Sequence, residues 1–193
     1  MVSFKEAINT YVSAKDGNRP HLIADAFRPD AELSMELKTD SISFPGSAIG
    51  ADGIAKVLVS QFAQQYENVY TFCIGVPPHD QPSFDCVWLV CMTEKSTAAA
   101  RVGFGRYRWH YDAVARKISG LCITIEQMHT LPSDMSPQIL SWARGLPYPW
   151  CPPDLPARTA PLLAPIQRIV DELQRLADSE AVEPDTRRSF TQN

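Results

Sequence analysis

Residues 99–129 contain two long β-strand signatures joined by a turn at Asp112–Lys117, and no other segment constrains the fold as strongly. The first strand is rich in aromatic residues and the second in β-branched residues, both of which are favoured in sheets. Side chains alternate between the faces of a strand, so Gly105, Tyr107 and Trp109 are predicted to share one face. Glycine inside a strand favours a bend or a bulge. A curved sheet with large aromatic side chains on one face predicts a pocket.

The segments before this pair show alternating helix and strand signatures. Ser3 and Glu6 form a capping box in front of an apolar stripe, which predicts a helix over residues 3–16. Further signatures follow in this order: a short helix from Pro20, a strand over Asp30–Lys38, a helix over about Asp52–Gln64, and strands over Asn68–Val76 and Ser83–Glu94. No helix signature separates the last four strands. An α+β domain is therefore predicted, with a strongly curved antiparallel or mixed sheet wrapped around N-terminal helices as a cone-shaped barrel.

Composition excludes several classes of function. The chain has 193 residues and a formal net charge of −4, which argues against a general nucleic-acid-binding protein. The sequence shows neither an apolar run that could span a membrane nor the pattern of a signal peptide. The five cysteines have no CxxC spacing, and most lie in apolar strand signatures. Buried, reduced thiols in a cytoplasmic protein are therefore expected.

The sequence changes character after His129. Nine of the 16 prolines fall between Pro132 and Pro165, so the chain is predicted to divide into a domain over residues 1–130 and an extension over residues 131–193. The extension should contain a short helix that Ser136 caps, a Pro-rich extended segment, an amphipathic helix over about 161–177 and a loosely held polar tail. We expect the Pro-rich segment to pin the extension across the domain or across a dimer partner, with recognition by a proline-binding domain as the alternative.

Four stretches along residues 3–129 carry a likeness to a known family: AINTYVSA, LIADAFRPDAELSM, PGSAIGADGIAKVL, and GRYRWHY followed by KISGL. In this order they resemble the cone-shaped, cystatin-like α+β superfamily of nuclear transport factor 2, SnoaL-like polyketide cyclases and ketosteroid isomerase. The resemblance implies a curved sheet that encloses a conical ligand-binding pocket together with long helices. It also implies a homodimer, since many members pair through the outer face of the sheet.

The same resemblance implies roles for single positions. Tyr11 matches the helix tyrosine that donates a hydrogen bond to the developing oxyanion in ketosteroid isomerase. Met35 stands where that enzyme has its aspartate base, and Gly105 stands where it has a second, acidic donor. A thioether cannot abstract a proton, so the chemistry of that isomerase is not expected here. Tyr107 and Trp109 match aromatic residues of the pocket wall.

Each candidate residue also has a structural interpretation. Tyr11 is equally compatible with a core tyrosine whose hydroxyl meets a backbone group, and Tyr107 and Trp109 are compatible with simple packing. Arg101 follows the pocket-facing alternation and is a candidate anchor for a carboxylate. The four histidines lack metal-ligand spacing, and the turn around Asp80 is expected to be exposed to solvent. No metal and no other cofactor is therefore predicted.

Two functions are compatible with these observations. The first is a homodimeric protein that binds a small hydrophobic molecule and, if catalytic, acts as a cofactor-independent isomerase, cyclase or dehydratase on a carbonyl compound. Tyr11 is then the best single catalytic candidate, and the predicted ligand-binding residues are Tyr11, Leu33, Met35, Leu58, Phe62, Tyr107 and Trp109. The second is a non-catalytic protein-interaction module. Two features favour it: the base is missing, and the strand Phe84–Met92 is apolar on both faces.

Overall fold

The N-terminal helices begin where the sequence predicts. The computed structural model describes residues 2–79 and 81–182, the last two by backbone alone. Helix α1 spans Phe4–Asp16, and its capping box forms: the Glu6 amide donates to the Ser3 hydroxyl, and the Ser3 amide donates to the Glu6 carboxylate. A 3₁₀ turn, Pro20–Leu22, and a short helix α2, Ile23–Ala26, lead from α1 into the sheet.

Across the described residues, seven strands form one open, mixed sheet. They are β1 Phe27–Leu37, β2 Ser47–Ile49, β3 Tyr66–Ile74, β4 Ser83–Glu94, β5 Ala100–Asp112, β6 Lys117–Leu131 and β7 Trp150–Cys151. The spatial order is β2-β1-β6-β5-β4-β3-β7. Strands β3 to β6 pair antiparallel with their sequence neighbours, as predicted, whereas β1 pairs parallel with β6 and β3 pairs parallel with β7. The α+β class with a mixed sheet is confirmed, and the sheet does not close into a barrel.

One continuous helical stretch connects β2 to β3. It consists of α3, Gly50–Ala55, a π-helical stretch, Lys56–Gln61, and α4, Phe62–Gln65, where the sequence predicts a single helix. Its buried residues include Ile54, Leu58 and Phe62, which pack on the same side of the sheet as α1. We call this side the inner face of the sheet.

The predicted irregularity of β5 occurs at Gly105. The register between β5 and β6 shifts between Phe104 and Gly105, which marks a bulge. A Cβ added at Gly105 would overlap the carbonyl oxygen of Thr124 on the neighbouring strand, so only glycine permits this approach of the two backbones. Beyond the bulge, Tyr107 and Trp109 belong to the core on the inner face, as the alternation predicts.

The extension is more regular than its prolines suggest. Helices α5, Ser136–Gly145, α6, Leu155–Thr159, and α7, Ala164–Val182, follow β6, and β7 lies within the Pro-rich segment. Ser136 was predicted as a helix cap, but its hydroxyl instead donates to the Ala98 carbonyl at 2.8 Å, because a 3₁₀ turn, Ser133–Met135, leads into α5. The predicted polar tail lies mostly outside the described residues.

The Pro-rich segment is fastened to the domain of its own chain. The Trp150 indole donates from Nε1 to Oδ1 of Asn9 on α1, at 2.7 Å. The Cys73 amide of β3 donates to the Pro149 carbonyl at 2.7 Å, and the Gly75 amide donates to the Cys151 carbonyl at 2.8 Å. These contacts fix the extension along the β3 edge of the sheet, within one molecule.

The extension covers the outer face of the sheet. Within the described part of the chain, the buried apolar residues form two clusters, one on each face. The outer cluster joins residues of β4 and β5, such as Leu89, Val102 and Phe104, to Trp142 of α5 and Ile169 of α7. Strand β4 is therefore apolar on both faces because it lies between two intramolecular cores. None of the described helices is both long and apolar enough to cross a membrane.

Candidate functional site

A small apolar cavity of about 50 Å³ lies between α1, the α3–α4 stretch and the inner face of the sheet. Its wall consists of Tyr11, Lys15, Met35, Ile42, Phe44, Leu58, Phe62, Thr71, Trp88, Val90, Met92, Tyr107, Ile123, Ile125 and Met128. A cavity of this size holds a few water molecules, since one water needs roughly 10–15 Å³. Pockets for drug-sized ligands measure about 300–1,000 Å³. The cone interior is therefore closed and nearly filled in this conformation.

Five of the seven residues predicted to bind a ligand line this cavity: Tyr11, Met35, Leu58, Phe62 and Tyr107. Leu33 and Trp109 belong to the same buried cluster but lie outside the cavity wall. Trp109 packs against Tyr11 with the ring centroids 5.2 Å apart and against Tyr107 at 5.0 Å. Strand alternation places Trp109 on the correct face, but it does not reveal that other rings separate it from the cavity.

The Tyr11 hydroxyl is a buried donor without an acceptor. Tyr11 is completely buried; the neighbouring Tyr107 hydroxyl acts on its oxygen as a weak donor, and the Tyr11 O–H itself has no acceptor among the described residues. Its ring lies edge-on to those of Phe27, Tyr107 and Trp109. Burial raises the pKa of Tyr11 far above its ordinary value, so the phenol is neutral at physiological pH and can donate a hydrogen bond. Burial raises the pKa of the neighbouring Tyr107 in the same direction.

Trp88 supplies a second donor of the same kind. The indole Nε1 of Trp88 is buried and has no acceptor within the described ranges. Its ring stacks on that of Tyr107, with the centroids 5.6 Å apart and the planes 28° from parallel. An indole N–H can only donate, so a group that satisfies it must bring an acceptor. The alternation of β4 could have identified Trp88, since its neighbours Val87 and Leu89 pack on the outer face.

A buried ion pair forms the polar end of the cavity. The Lys15 ammonium donates to Asp16 Oδ1 at 2.7 Å and to Thr71 Oγ1 at 2.6 Å, and the side chains of Lys15 and Asp16 are 8% and 6% exposed. Asp16 also accepts from the Thr71 amide at 2.7 Å, from the Thr71 hydroxyl at 2.8 Å and from the Tyr148 hydroxyl at 2.9 Å. The ammonium lies 5.0 Å from the centroid of the Phe62 ring. Lys15, Asp16 and Thr71 were not among the predicted site residues.

The loop between β1 and β2 closes one side of the cavity. Ile42 and Phe44 of this loop contribute to the wall, and Phe44 stacks on Phe62 with the ring centroids 6.3 Å apart. Arg101, the predicted carboxylate anchor, instead donates from Nη2 to the Ser41 carbonyl and lies 3.8 Å from Glu94 Oε1. Arg101 does not line the cavity; it holds the loop that covers it.

Neither Met35 nor Gly105, the two positions where ketosteroid isomerase has acidic groups, carries a titratable side chain here. Met35 lines the cavity wall where the resemblance places an aspartate, and among the described lining residues there is no carboxylate and no imidazole. At Gly105 an acidic side chain is excluded by the close backbone of Thr124. The arrangement can therefore donate hydrogen bonds to a ligand, but its lining residues offer no base of ordinary strength.

All five cysteines are free thiols. Four of them are buried, and Cys122 is partly exposed. A hydrogen bond with the neighbouring Cys86 thiol and burial raise the pKa of Cys73, and burial raises the pKa of Cys151 to about 12. Thiols that stay protonated are poor nucleophiles and poor metal ligands. Among the described residues no group of three or more His, Cys, Asp and Glu side chains could hold a metal ion, and Asp80 lies outside them.

Comparisons with known proteins identify the fold. No protein-family model matches the sequence, and no curated protein matches it. A nuclear transport factor 2-like protein from Burkholderia thailandensis matches with a TM-score of 0.51 and 16% identity, over 72% of this chain and 99% of that one. A protein with a ketosteroid isomerase-like fold from Catenulispora acidiphila, solved in complex with trimethylamine, matches with a TM-score of 0.50 and 12% identity, over 61% of this chain and 83% of that one.

A hexachlorocyclohexane dehydrochlorinase from Novosphingobium barchaimii has a similar fold, with a TM-score of 0.50 and 11% identity, over 65% of this chain and 85% of that one. At these identities the matches concern the fold alone. The chain has the cone-shaped fold of nuclear transport factor 2-like and ketosteroid isomerase-like proteins, as the four stretches of the sequence predicted.

Proposed function

We propose that this protein binds a small hydrophobic compound inside the cone, and that the compound carries a hydrogen-bond acceptor. The observation that carries the proposal is the pair of unpartnered donors beside the cavity, the Tyr11 hydroxyl and the Trp88 indole N–H. A buried donor without an acceptor costs about 1–3 kcal/mol of stability. A ligand with a carbonyl or ether oxygen would supply the missing acceptor.

The ligand needs more room than the closed cavity of about 50 Å³ offers. Two features of the wall support an expansion. Met35, Met92 and Met128 have flexible, unbranched side chains, which repack around guests of different shape. The loop that carries Ile42 and Phe44 belongs to neither a helix nor a strand over residues 38–46, so its displacement breaks few backbone hydrogen bonds besides the contact of Arg101 with the Ser41 carbonyl.

Tyr11 would polarise a bound carbonyl because its neutral phenol donates to the oxygen. Isomerisation, cyclisation or dehydration also needs a proton acceptor, which Met35 cannot supply. The proposal therefore commits to binding, and catalysis stays a prediction from the resemblance. Small organic molecules are also the partners of proteins with this fold, as the trimethylamine complex and the dehydrochlorinase indicate.

The alternative of a protein-interaction module loses one of its two supports. The missing base at Met35 still favours it, but the outer side of β4 no longer does, because Val87 and Leu89 pack against the chain's own extension. A homodimer of the kind implied by the resemblance would need the same outer face. Dimerisation therefore requires either another surface or the release of α5 and α7.

The test is a titration with cyclohexanone and with methylenecyclohexane, which has the same shape but no oxygen, followed by NMR of the methionine methyl groups. We expect cyclohexanone to bind several-fold more tightly and to shift the signals of Met92 and Met128. Tyr11→Phe should remove most of this preference, whereas Tyr70→Phe, on the other side of the sheet, should keep it. If neither probe perturbs the cavity methyl groups, the cone does not serve as a binding site.

A further inference from the structure

Lys15 stands apart from the rest of the cavity wall. It is the one charged side chain among the described lining residues, and it is buried. An ammonium has three N–H donors, and two of them bind Asp16 and Thr71. The third has no oxygen acceptor within the described ranges and lies toward the ring of Phe62. A buried ammonium with an N–H that lacks an acceptor lowers the stability of the protein, and a ligand that supplied the acceptor would remove this cost.

The polar groups of the wall share one property. Lys15, the Tyr11 hydroxyl and the Trp88 indole can each donate a hydrogen bond, and the lining contains no carboxylate. The Asp16 carboxylate is already occupied by Lys15, by Thr71 and by the Tyr148 hydroxyl. This pairing holds the ammonium in place, and it spreads the negative charge of Asp16 over several donors. The cavity wall therefore presents donors, and the nearest carboxylate, Asp16, is already engaged by Lys15, Thr71 and Tyr148.

Lys15 also lines a second space beside the inner cavity. A second cleft, of about 200 Å³, opens to solvent on the other side of Lys15, between the end of α1 and the start of β3. Lys15 and Phe62 line both this cleft and the inner cavity, so the two spaces meet at these side chains. A ligand that entered here with its apolar part first would leave its polar end beside the ammonium.

We propose that the compound bound in the cone is an apolar monocarboxylate, whose carboxylate accepts the third N–H of Lys15 while its apolar part fills the cavity. This inference rests on the proposed function and narrows its ligand class. A carboxylate paired with a fixed, desolvated ammonium gains a charge-assisted hydrogen bond, which is roughly twice as strong as a neutral one. A neutral amide of the same shape keeps a carbonyl acceptor for the same donors, but it lacks the negative charge that pairs with the ammonium.

The decisive experiment compares octanoate with octanamide by isothermal titration calorimetry on the full chain. The two probes have nearly the same shape and differ in charge. We expect octanoate to bind at least tenfold more tightly than octanamide. Lys15→Met should weaken octanoate binding at least tenfold and octanamide binding by a clearly smaller factor, and Lys15→Arg should restore part of the octanoate affinity. Lys5→Met, at an exposed position on the same helix, should change neither value.

The outcomes separate this inference from the broader proposal. Equal binding of both probes would overturn the role of Lys15 and leave small-molecule binding intact. Binding of neither probe, together with a failure of the cyclohexanone titration, would overturn both. Lys15→Met could fail to fold because Asp16 loses its partner. The comparison of octanoate with octanamide on the unmodified chain then still tests whether the site prefers a carboxylate. An equal loss of octanoate affinity in Lys5→Met would show that only the general surface charge matters.

Discussion

Tyr148 of the extension donates a hydrogen bond to Asp16 at the end of α1, with 2.9 Å between the hydroxyl oxygen and Oδ2. The two residues are 132 positions apart in the sequence. Because Asp16 also holds the Lys15 ammonium, this bond links the Pro-rich segment to the polar end of the cavity. The same segment is anchored nearby by Trp150, which donates to Asn9. The extension is therefore a structural part of the candidate site.

The first prediction concerns this link. Tyr148→Phe should lower the free energy of unfolding by about 0.5–1.5 kcal/mol, because it removes one hydrogen bond from a group that keeps its other donors. Urea denaturation followed by circular dichroism measures the change. Tyr70→Phe is the matched control, since the Tyr70 ring contacts that of Tyr148 with the centroids 6.5 Å apart. A loss of equal size in both variants would mean that removal of either tyrosine hydroxyl is equally costly, and that the bond to Asp16 has no special role in fastening the extension.

The second prediction concerns Tyr11, where the same change from tyrosine to phenylalanine should have the opposite effect on the free energy of unfolding. Tyr11→Phe should raise the free energy of unfolding by about 1 kcal/mol, because it removes a buried hydroxyl whose O–H has no acceptor and which receives only a weak hydrogen bond from Tyr107. The aromatic contacts of the ring with Phe27 and Trp109 remain. Chemical denaturation of the ligand-free protein provides the measurement. A clear loss of stability would show that the hydroxyl has an acceptor, such as a bound water, and would remove the main support for a carbonyl ligand.

The overall fold could be predicted because local signals and long-range packing agree. The capping box, the apolar stripe of α1 and the alternation of β5 each indicated one structure, and each formed. The parallel pairing of β1 with β6 had no local signal, because Phe27 and its partner Ile118 are 91 positions apart in the sequence. Likewise, no periodicity indicated that Ile42 and Phe44, in an irregular loop, would reach the cavity.

The polar end of the site was missed for a different reason. Lys15 continues the buried stripe of α1 at helical spacing from Tyr11, but an interpretation restricted to apolar residues ends before it. A lysine on a buried stripe is itself a signal, because a charged side chain is rarely buried without a partner. Asp16 and Thr71, which make that burial possible, come together only through the tertiary fold.

The third prediction concerns the outer face of the sheet. Ile169→Glu should lower the free energy of unfolding by roughly 2–4 kcal/mol, because it places a carboxylate in the apolar cluster between α7 and the sheet. The released outer face should then bind a hydrophobic dye and promote self-association, which analytical ultracentrifugation measures. Arg175→Glu introduces the same group at an exposed position of α7 and should have neither effect. Unchanged sedimentation of Ile169→Glu would show that this face does not promote dimers.

The fourth prediction concerns pH and His129 on β6. The His129 Nε2 lies 2.7 Å from Gln127 Oε1, and the Gln127 amide donates to Glu172 of α7. Burial lowers the pKa of His129 below 6.5, and Arg168 acts in the same direction while Glu172 opposes it. The unfolded chain therefore binds a proton at a higher pH than the folded chain does. The stability that depends on a neutral His129 is present above about pH 6.5 and is lost as the pH falls through the lower, folded-state pKa.

His129→Gln should accordingly reduce the loss of stability between pH 7.5 and 5.5, measured as the urea midpoint at each pH. The exposed His21 offers the matched control, because His21→Gln removes a histidine without touching this contact. Hydrogen bonds from the Ala115 and Val114 amides and from Arg28 also lower the pKa of the Asp112 carboxyl, against a smaller opposing effect of burial, but such carboxyl groups affect stability only below about pH 4. A pH dependence that is identical in His129→Gln and His21→Gln would exclude His129 as its source, and the contact between β6 and α7 would then be insensitive to pH in this range.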